Sequence, residues 1–283
     1  FAALRPGQDA KPLVFQYEIS LVPSATLWLG WRKNRGAVAK SVPLVFADPE
    51  TPAHSLGALP YARDEGKSVL RRFGGGELRQ GREASEAWLK SAGLGGFGLL
   101  HFATHARTFD IDPDSSFVLL APGSPKEDGS LHVREIARLP LAGRTVVLSS
   151  CESAAGEILR GEGVMGLARA FFQAGAHTVV ASLWPLRDDD GAALFDRFYR
   201  HLADGRTVSA ALRAAQQDRI GDGAPAEAWA GVVVLGDGDR VPIPGGRKRP
   251  GVWVRVVGVL LAVSALLFSI AGRRWRRSRR SAG

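Results

Sequence analysis

The chain has a single cysteine, Cys151, at the end of the run TVVLSSC, where β-branched apolar residues give way to small and polar ones. A histidine, His105, follows a second apolar run in FGLLHFATH. A thiolate is a nucleophile. An imidazole beside it can lower the thiol pKa and later protonate a leaving amine, so the two together suffice for acyl transfer through a thioester. The histidine comes first, by 46 residues. The chemistry needs both runs to be neighbouring strands that end at the same edge of one sheet. That is where open α/β sheets collect their functional groups. Taken alone, Cys151 equally fits a small buried hydrophobe, and His105 a hydrogen-bonded histidine at a strand end. His54, His101, His132, His177 and His201 read as structural. One cysteine allows no internal disulfide and no multi-cysteine zinc site, so no metal or cofactor is expected.

The elements that must hold this pair alternate along the chain. Apolar runs at Pro43–Ala47, Phe97–Ala103, Phe117–Ala121, Thr145–Ser150, His177–Leu183 and Trp229–Leu235 read as strands. Helices are expected at Glu83–Ala92, Ser130–Leu139, Val164–Ala174 (ended by Gly175), Asp188–Ala203 and Thr207–Ile220 (capped by Thr207). Continuous apolar strands separated by helices predict an α/β fold, with a mostly parallel sheet flanked by helices. Nucleotide binding on such a sheet is poorly supported. There is no G-x-G-x-x-G or P-loop, and the GGG of 74–76 follows a helix-like stretch, not a strand.

The net charge of +9 points at first to nucleic acid, but its distribution does not. All ten Lys and Arg beyond residue 240 lie between Arg247 and Arg280, and no Asp or Glu accompanies them. The remainder is close to neutral, so no nucleic-acid partner is expected. Residues 256–272 run 17 positions without a charge, bracketed by Trp253 and Trp275 and followed by six arginines. With the residues from Gly251 onward this reaches the roughly 20 needed to span a bilayer. The expected layout is a lead-in over 1–41, a globular domain over 42–239, a Pro/Gly/basic linker over 240–250, one transmembrane helix over 251–272 and an Arg-rich tail over 273–283. The first residue is Phe1, and an upstream region is expected.

HFATHA (101–106), LSSCES (148–153), GEGVMGLARAFFQAGAHTVVASLWPL (161–186) and the following AALFDRFYRHL together resemble the CHAT domain family. Its members are caspase-like bacterial domains, often preceded by tetratricopeptide repeats and related to separase. The resemblance runs from about Val42 to Asp237, and the 46-residue separation is close to the ~50 between His and Cys in caspases. It implies a caspase-like cysteine endopeptidase with a His105–Cys151 dyad. The backbone N–H groups of Ala106 and Cys151 would hold the oxyanion. Caspase-like enzymes often have Gly after the histidine; this chain has Ala106. SLWPLRDDD (182–190) resembles a separase-type phrase whose acidic residue lines the substrate pocket. On that match Asp188 would bind a basic residue before the cut, although carboxylates at a helix start also favour its dipole. Glu162 is expected to cap a helix. The implied function is a membrane-anchored peptidase with a protein or peptide substrate, and with an upstream repeat region or activator as partner. The alternative is a catalytically silent signalling module at the membrane.

Overall fold

The structure is a computed structural model that describes residues 1–7, 10–33, 41–51, 59–109, 112–149 and 162–244. Cys151, Glu152 and the apolar segment 251–272 lie outside these residues, and so does the expected transmembrane helix. Among the described residues no helix is long and apolar enough to cross a membrane.

In chain order the elements are β1 (Ser20–Leu21), α1 (Ala25–Lys33), β2 (Val42–Pro49), α2 (Pro60–Phe73), β3 (Glu77–Gly81), α3 (Glu86–Ser91), β4 (Phe97–Ala103) and β5 (Ala106–Arg107). They continue with β6 (Phe117–Leu119), β7 (Ser130–His132), α4 (Val133–Ile136), β8 (Thr145–Leu148), α5 (Glu162–Gln173), β9 (Thr178–Ser182), α6 (Asp188–Ala203), α7 (Val208–Gly221) and β10 (Val232–Gly236). Seven strands form the main sheet in the order β1-β10-β9-β8-β4-β2-β3. The neighbours from β9 to β3 are parallel, and β10 joins β9 antiparallel. The expected α/β architecture, a mostly parallel sheet flanked by helices, is what the chain adopts.

The alternation of strand side chains divides the core in two. Leu44, Phe46, Leu100, Phe102, Val146 and Leu148 face α3, α4 and α5. Phe46 stacks on Phe102 with ring centroids 5.3 Å apart, and Phe102 meets Phe171 of α5 at 6.0 Å. Val45, Ala47, Leu99, Ala103, Val147 and Val180 face α2, α6 and α7. Both faces of the central strands are buried, which is why their sequences are apolar without alternation.

Two expectations are corrected. Ser130–Leu139 does not form one helix. Ser130–His132 pairs with Phe117–Leu119 as β7, and only Val133–Ile136 turns helical. The reason is tertiary, because the β6 edge offers partners that the three-residue phrase SLH cannot advertise locally. The first 41 residues also contribute to the sheet and core. β1 pairs with β10, and Trp31 of α1 meets Phe172 at 5.2 Å. At the other end Ile243 is buried, and Pro242 O accepts from Ser41 Oγ at 3.0 Å.

One polar cluster ties α3 to the β6–β7 hairpin. Lys90 Nζ lies 2.5 Å from Glu86 and Glu127 and 2.6 Å from Glu135. Burial works against the ammonium, but the three carboxylates outweigh it and hold Lys90 above its ordinary range. Burial pushes the Glu86 carboxyl up, against the hydrogen bonds it accepts from Lys90 and the Gly129 N–H. Because Lys90 is raised in the folded chain, its contribution is complete below about pH 10, the unfolded lysine value, and is lost as pH rises through the alkaline range. Lys90→Met should cost about 2–3 kcal/mol at neutral pH, the penalty of unpaired buried charge reduced for partial exposure. Because Glu86 is raised, that deficit should shrink as pH falls from 7 towards 5 and its carboxylate takes up a proton. Thermal melts of both proteins across this range would check it, and a deficit independent of pH would rule it out.

Candidate active site

The two strands that must be neighbours are neighbours. β4 pairs with β8 in parallel, with Leu99 opposite Thr145, His101 opposite Val147 and Phe102 opposite Leu148. The ladder extends one step further, with Ser149 N donating to Phe102 O at 3.1 Å. This register carries the same 46-residue offset that separates His105 from Cys151. Cys151 itself lies outside the described residues, and the Asp188 side chain is likewise not described.

His105 is half-buried, two residues beyond β4 at the carboxyl edge of the sheet. Its backbone is held by the accessory sheet β5-β6-β7. Leu119 N donates to His105 O at 2.8 Å, and the Thr104 hydroxyl donates to Leu119 O. Ala106 then stands opposite Val118, and Arg107 opposite Phe117. In an antiparallel ladder, a bond from residue j+1 to the carbonyl of i−1 flanks a pair that exchanges no hydrogen bond of its own. Ala106–Val118 is such a pair, so the Ala106 N–H is turned away from β6. The Ala106 methyl is fully buried in the core. A small residue is therefore required here, but not specifically glycine.

On the far side of β4, β2 ends beside the same edge, with Ala47 opposite Ala103. The next residue, Asp48, is the only non-glycine with positive φ among the described residues, at 45°. Its buried carboxylate accepts from Leu59 N at 3.0 Å and from Arg63 Nε at 2.5 Å. Aspartate tolerates the left-handed region better than most residues. Here the ion pair and the backbone bond hold it there, fixing where the chain leaves β2 and enters α2. Nothing in the phrase FADPE announces this.

The β9–α6 connection carries the acidic phrase. Asp189 is engaged by Arg187 at 3.2 Å, which holds its carboxyl below the ordinary range. Asp190 pairs with Arg219 of α7. Asp188 is the first residue of α6. Trp184 of the same connection donates from Nε1 to Glu227 O at 3.0 Å. A Cβ at Gly231 would fall 2.5 Å from its ring, so only glycine lets the indole lie there. A cavity of about 350 Å³ opens behind it, between residues 1–4, β10 and α7, and His105 does not line it.

The remaining described histidines lie in other surroundings, His177 against the Trp31 ring at 5.7 Å. His101 is fully buried against Tyr199, His132 precedes α4, and His201 Nε2 lies 2.8 Å from Asp218. His54 lies outside the described residues. The expected cap, Glu162, is the first residue of α5. Among the described residues, one group of carboxylates is close enough to share a cation: Glu86, Glu127 and Glu135, within 4.8 Å. The Lys90 ammonium already sits among them.

Tetratricopeptide repeat protein 28 of Mus musculus is 31% identical over 148 residues, 51% of this chain but 6% of that protein. Its counterpart from Homo sapiens is 31% identical over 123 residues, 42% of this chain and 5% of that protein. Among solved structures, the Arg-specific cysteine proteinase gingipain R is similar, with a TM-score of 0.43, 13% identity, and coverage of 70% of this chain and 46% of that one. A complex of the pro- and mature domains of RgpB from Porphyromonas gingivalis gives a TM-score of 0.42 at 12% identity, covering 70% of this chain and 47% of that one. The sequence model of the CHAT domain matches residues 1–237, a range that takes in the first 41 residues and every strand described above, and the chain belongs to that family.

Proposed function

We propose that the chain is a cysteine endopeptidase in which Cys151 is the nucleophile and His105 the acid–base partner. The observation that carries this reading is the β4–β8 register, whose 46-residue offset matches the separation of the two residues. The Cys151 thiolate adds to the peptide carbonyl. The resulting oxyanion is held by the N–H groups of Ala106 and Cys151. His105 delivers a proton to the departing amine, leaving a thioester. Water, deprotonated by His105, then attacks the thioester and releases the acid and the thiolate.

The turn of the Ala106 N–H away from β6 supports its role. A donor held off the ladder is available to a developing charge without weakening the sheet. Asp188 is the proposed acceptor for an Arg or Lys side chain before the cut. Its neighbours Asp189 and Asp190 have arginine partners of their own. A helix N-terminus would further favour the ionised form of Asp188. The segment 251–272 is proposed to anchor the chain in a bilayer. A polypeptide ended after Gly246 retains the buried Ile243 and should be released from membranes, whereas the full chain resists carbonate extraction.

Labelling of the full chain with a peptidyl acyloxymethyl ketone carrying Arg at the first position tests the dyad. Labelling should vanish in Cys151→Ala and fall sharply in His105→Ala. Labelling that persists in Cys151→Ala would remove that residue from the mechanism. Ala106→Pro removes the N–H while leaving the β5–β6 ladder bonds in place, and turnover should drop about 10²–10³-fold. Unchanged turnover in that variant would move the oxyanion hole elsewhere. A preference for Asp over Arg before the cut would exclude the role of Asp188.

A further inference from the structure

His101 lies on β4 four residues before His105, in a column otherwise built from Leu99 and Ala103, and it is fully buried. Its Nδ1 is 2.7 Å from the hydroxyl of Tyr199 on α6. Its Nε2 is 3.0 Å from Glu65 Oε1 on α2, where the two atoms face each other without hydrogen-bond alignment. Burial, together with the nearby Glu65, pushes the Tyr199 hydroxyl well above its ordinary range, so it keeps its proton. With that hydroxyl donating to His101 Nδ1, the imidazole N–H would sit on Nε2, the nitrogen beside Glu65. A leucine would fill this column with none of the desolvation cost that an imidazole and a carboxylate incur.

The three residues sit on three elements whose upper ends meet at the carboxyl edge of the sheet. From His101, β4 rises two residues to Ala103, about 7 Å at 3.3 Å per residue, and His105 stands two residues beyond its end. From Tyr199, eleven helical residues rise to Asp188, about 16 Å at 1.5 Å per residue. From Glu65, α2 runs back to Pro60 and the Asp48–Leu59 bond. Apolar surfaces allow a helix to slide along a sheet, whereas buried polar groups that would lose their partners on sliding do not. We propose that Glu65, His101 and Tyr199 are positioning residues that fix β4, α2 and α6 at one relative height and so set His105 against the start of α6. This deepens the peptidase reading and rests on it for the consequence to catalysis.

The test uses the full chain labelled with ¹⁵N-histidine and the ring resonances of His101 and His105. In the wild type the His101 proton should appear on Nε2. Tyr199→Phe, which removes one oxygen, and Glu65→Gln should each displace the His105 ring shifts and slow Cys151 labelling roughly tenfold, as expected for a reacting group moved by a fraction of an ångström. Leu202→Ala, a buried truncation further along α6, should leave the His105 shifts in place. If neither polar variant moves them, or if Leu202→Ala moves them equally, the proposal is overturned. A wild-type chain that cannot be labelled at Cys151 would overturn the peptidase reading, while the ring shifts would still decide whether the network positions His105.

Discussion

The pairing of β4 with β8 is the constraint on which the rest of the structure depends. Two parallel strands of this length cannot be joined by a tight turn; the chain must leave the sheet and return. It does so through β5, β6, β7 and α4, and this excursion does more than connect. β6 returns to bind the backbone of residues 104–107, immediately after the strand that sends them there. The connection is thereby also the clamp on His105. Lys90 and its three carboxylates fasten that clamp to the domain through α3. What the proposed catalysis would require locally, a histidine with fixed backbone, is met by a topological necessity.

The strand end and the helix starts differ in how they are held. On the β4–β8 side the ladder bonds are backbone to backbone, indifferent to side-chain identity, with the Thr104 and Ser149 hydroxyls added to them. On the α2–α6 side they run between side chains: Asp48 to Arg63, Arg72 and Ser68 to Asp196, and Tyr199 to His101. The apolar core supplies most of the burial. These polar contacts supply direction, which burial alone lacks.

How much of this could be read from the sequence varied with the length of the signal. FGLLHFA is a strand over the residues expected, 97–103, because an unbroken apolar run between Gly96 and Thr104 leaves little choice. Asp188–Ala203 is a helix over the expected span, since its amphipathic repeat is long. β5 escaped notice because two residues have no period; Ala106–Arg107 is a strand only by virtue of β6. The same holds for β1. Asp48 was hidden because its backbone angle depends on a partner fifteen residues away. His101 was read as structural, yet nothing in HFATHA reveals Glu65 or Tyr199. Of the candidate site, the sequence showed the pair and its spacing. It could not show that the Ala106 N–H turns away from β6, which depends on the register with Val118.

The β1–β10 pairing has a further consequence. Ser20 and Leu21 lie beside Val234 and Leu235, so β1 has no partner until almost the whole domain has been made. Until then Val14, Phe15 and their neighbours lack a seat. The seat they need is formed by β10 and by α7, whose Arg213 and Gln217 side chains bind the carbonyls of Val14 and Phe15. Closing so long a loop is entropically slow. The sheet therefore completes itself last at its β1 edge, and any chain interrupted before residue 235 would leave an unpartnered strand for chaperones to cover.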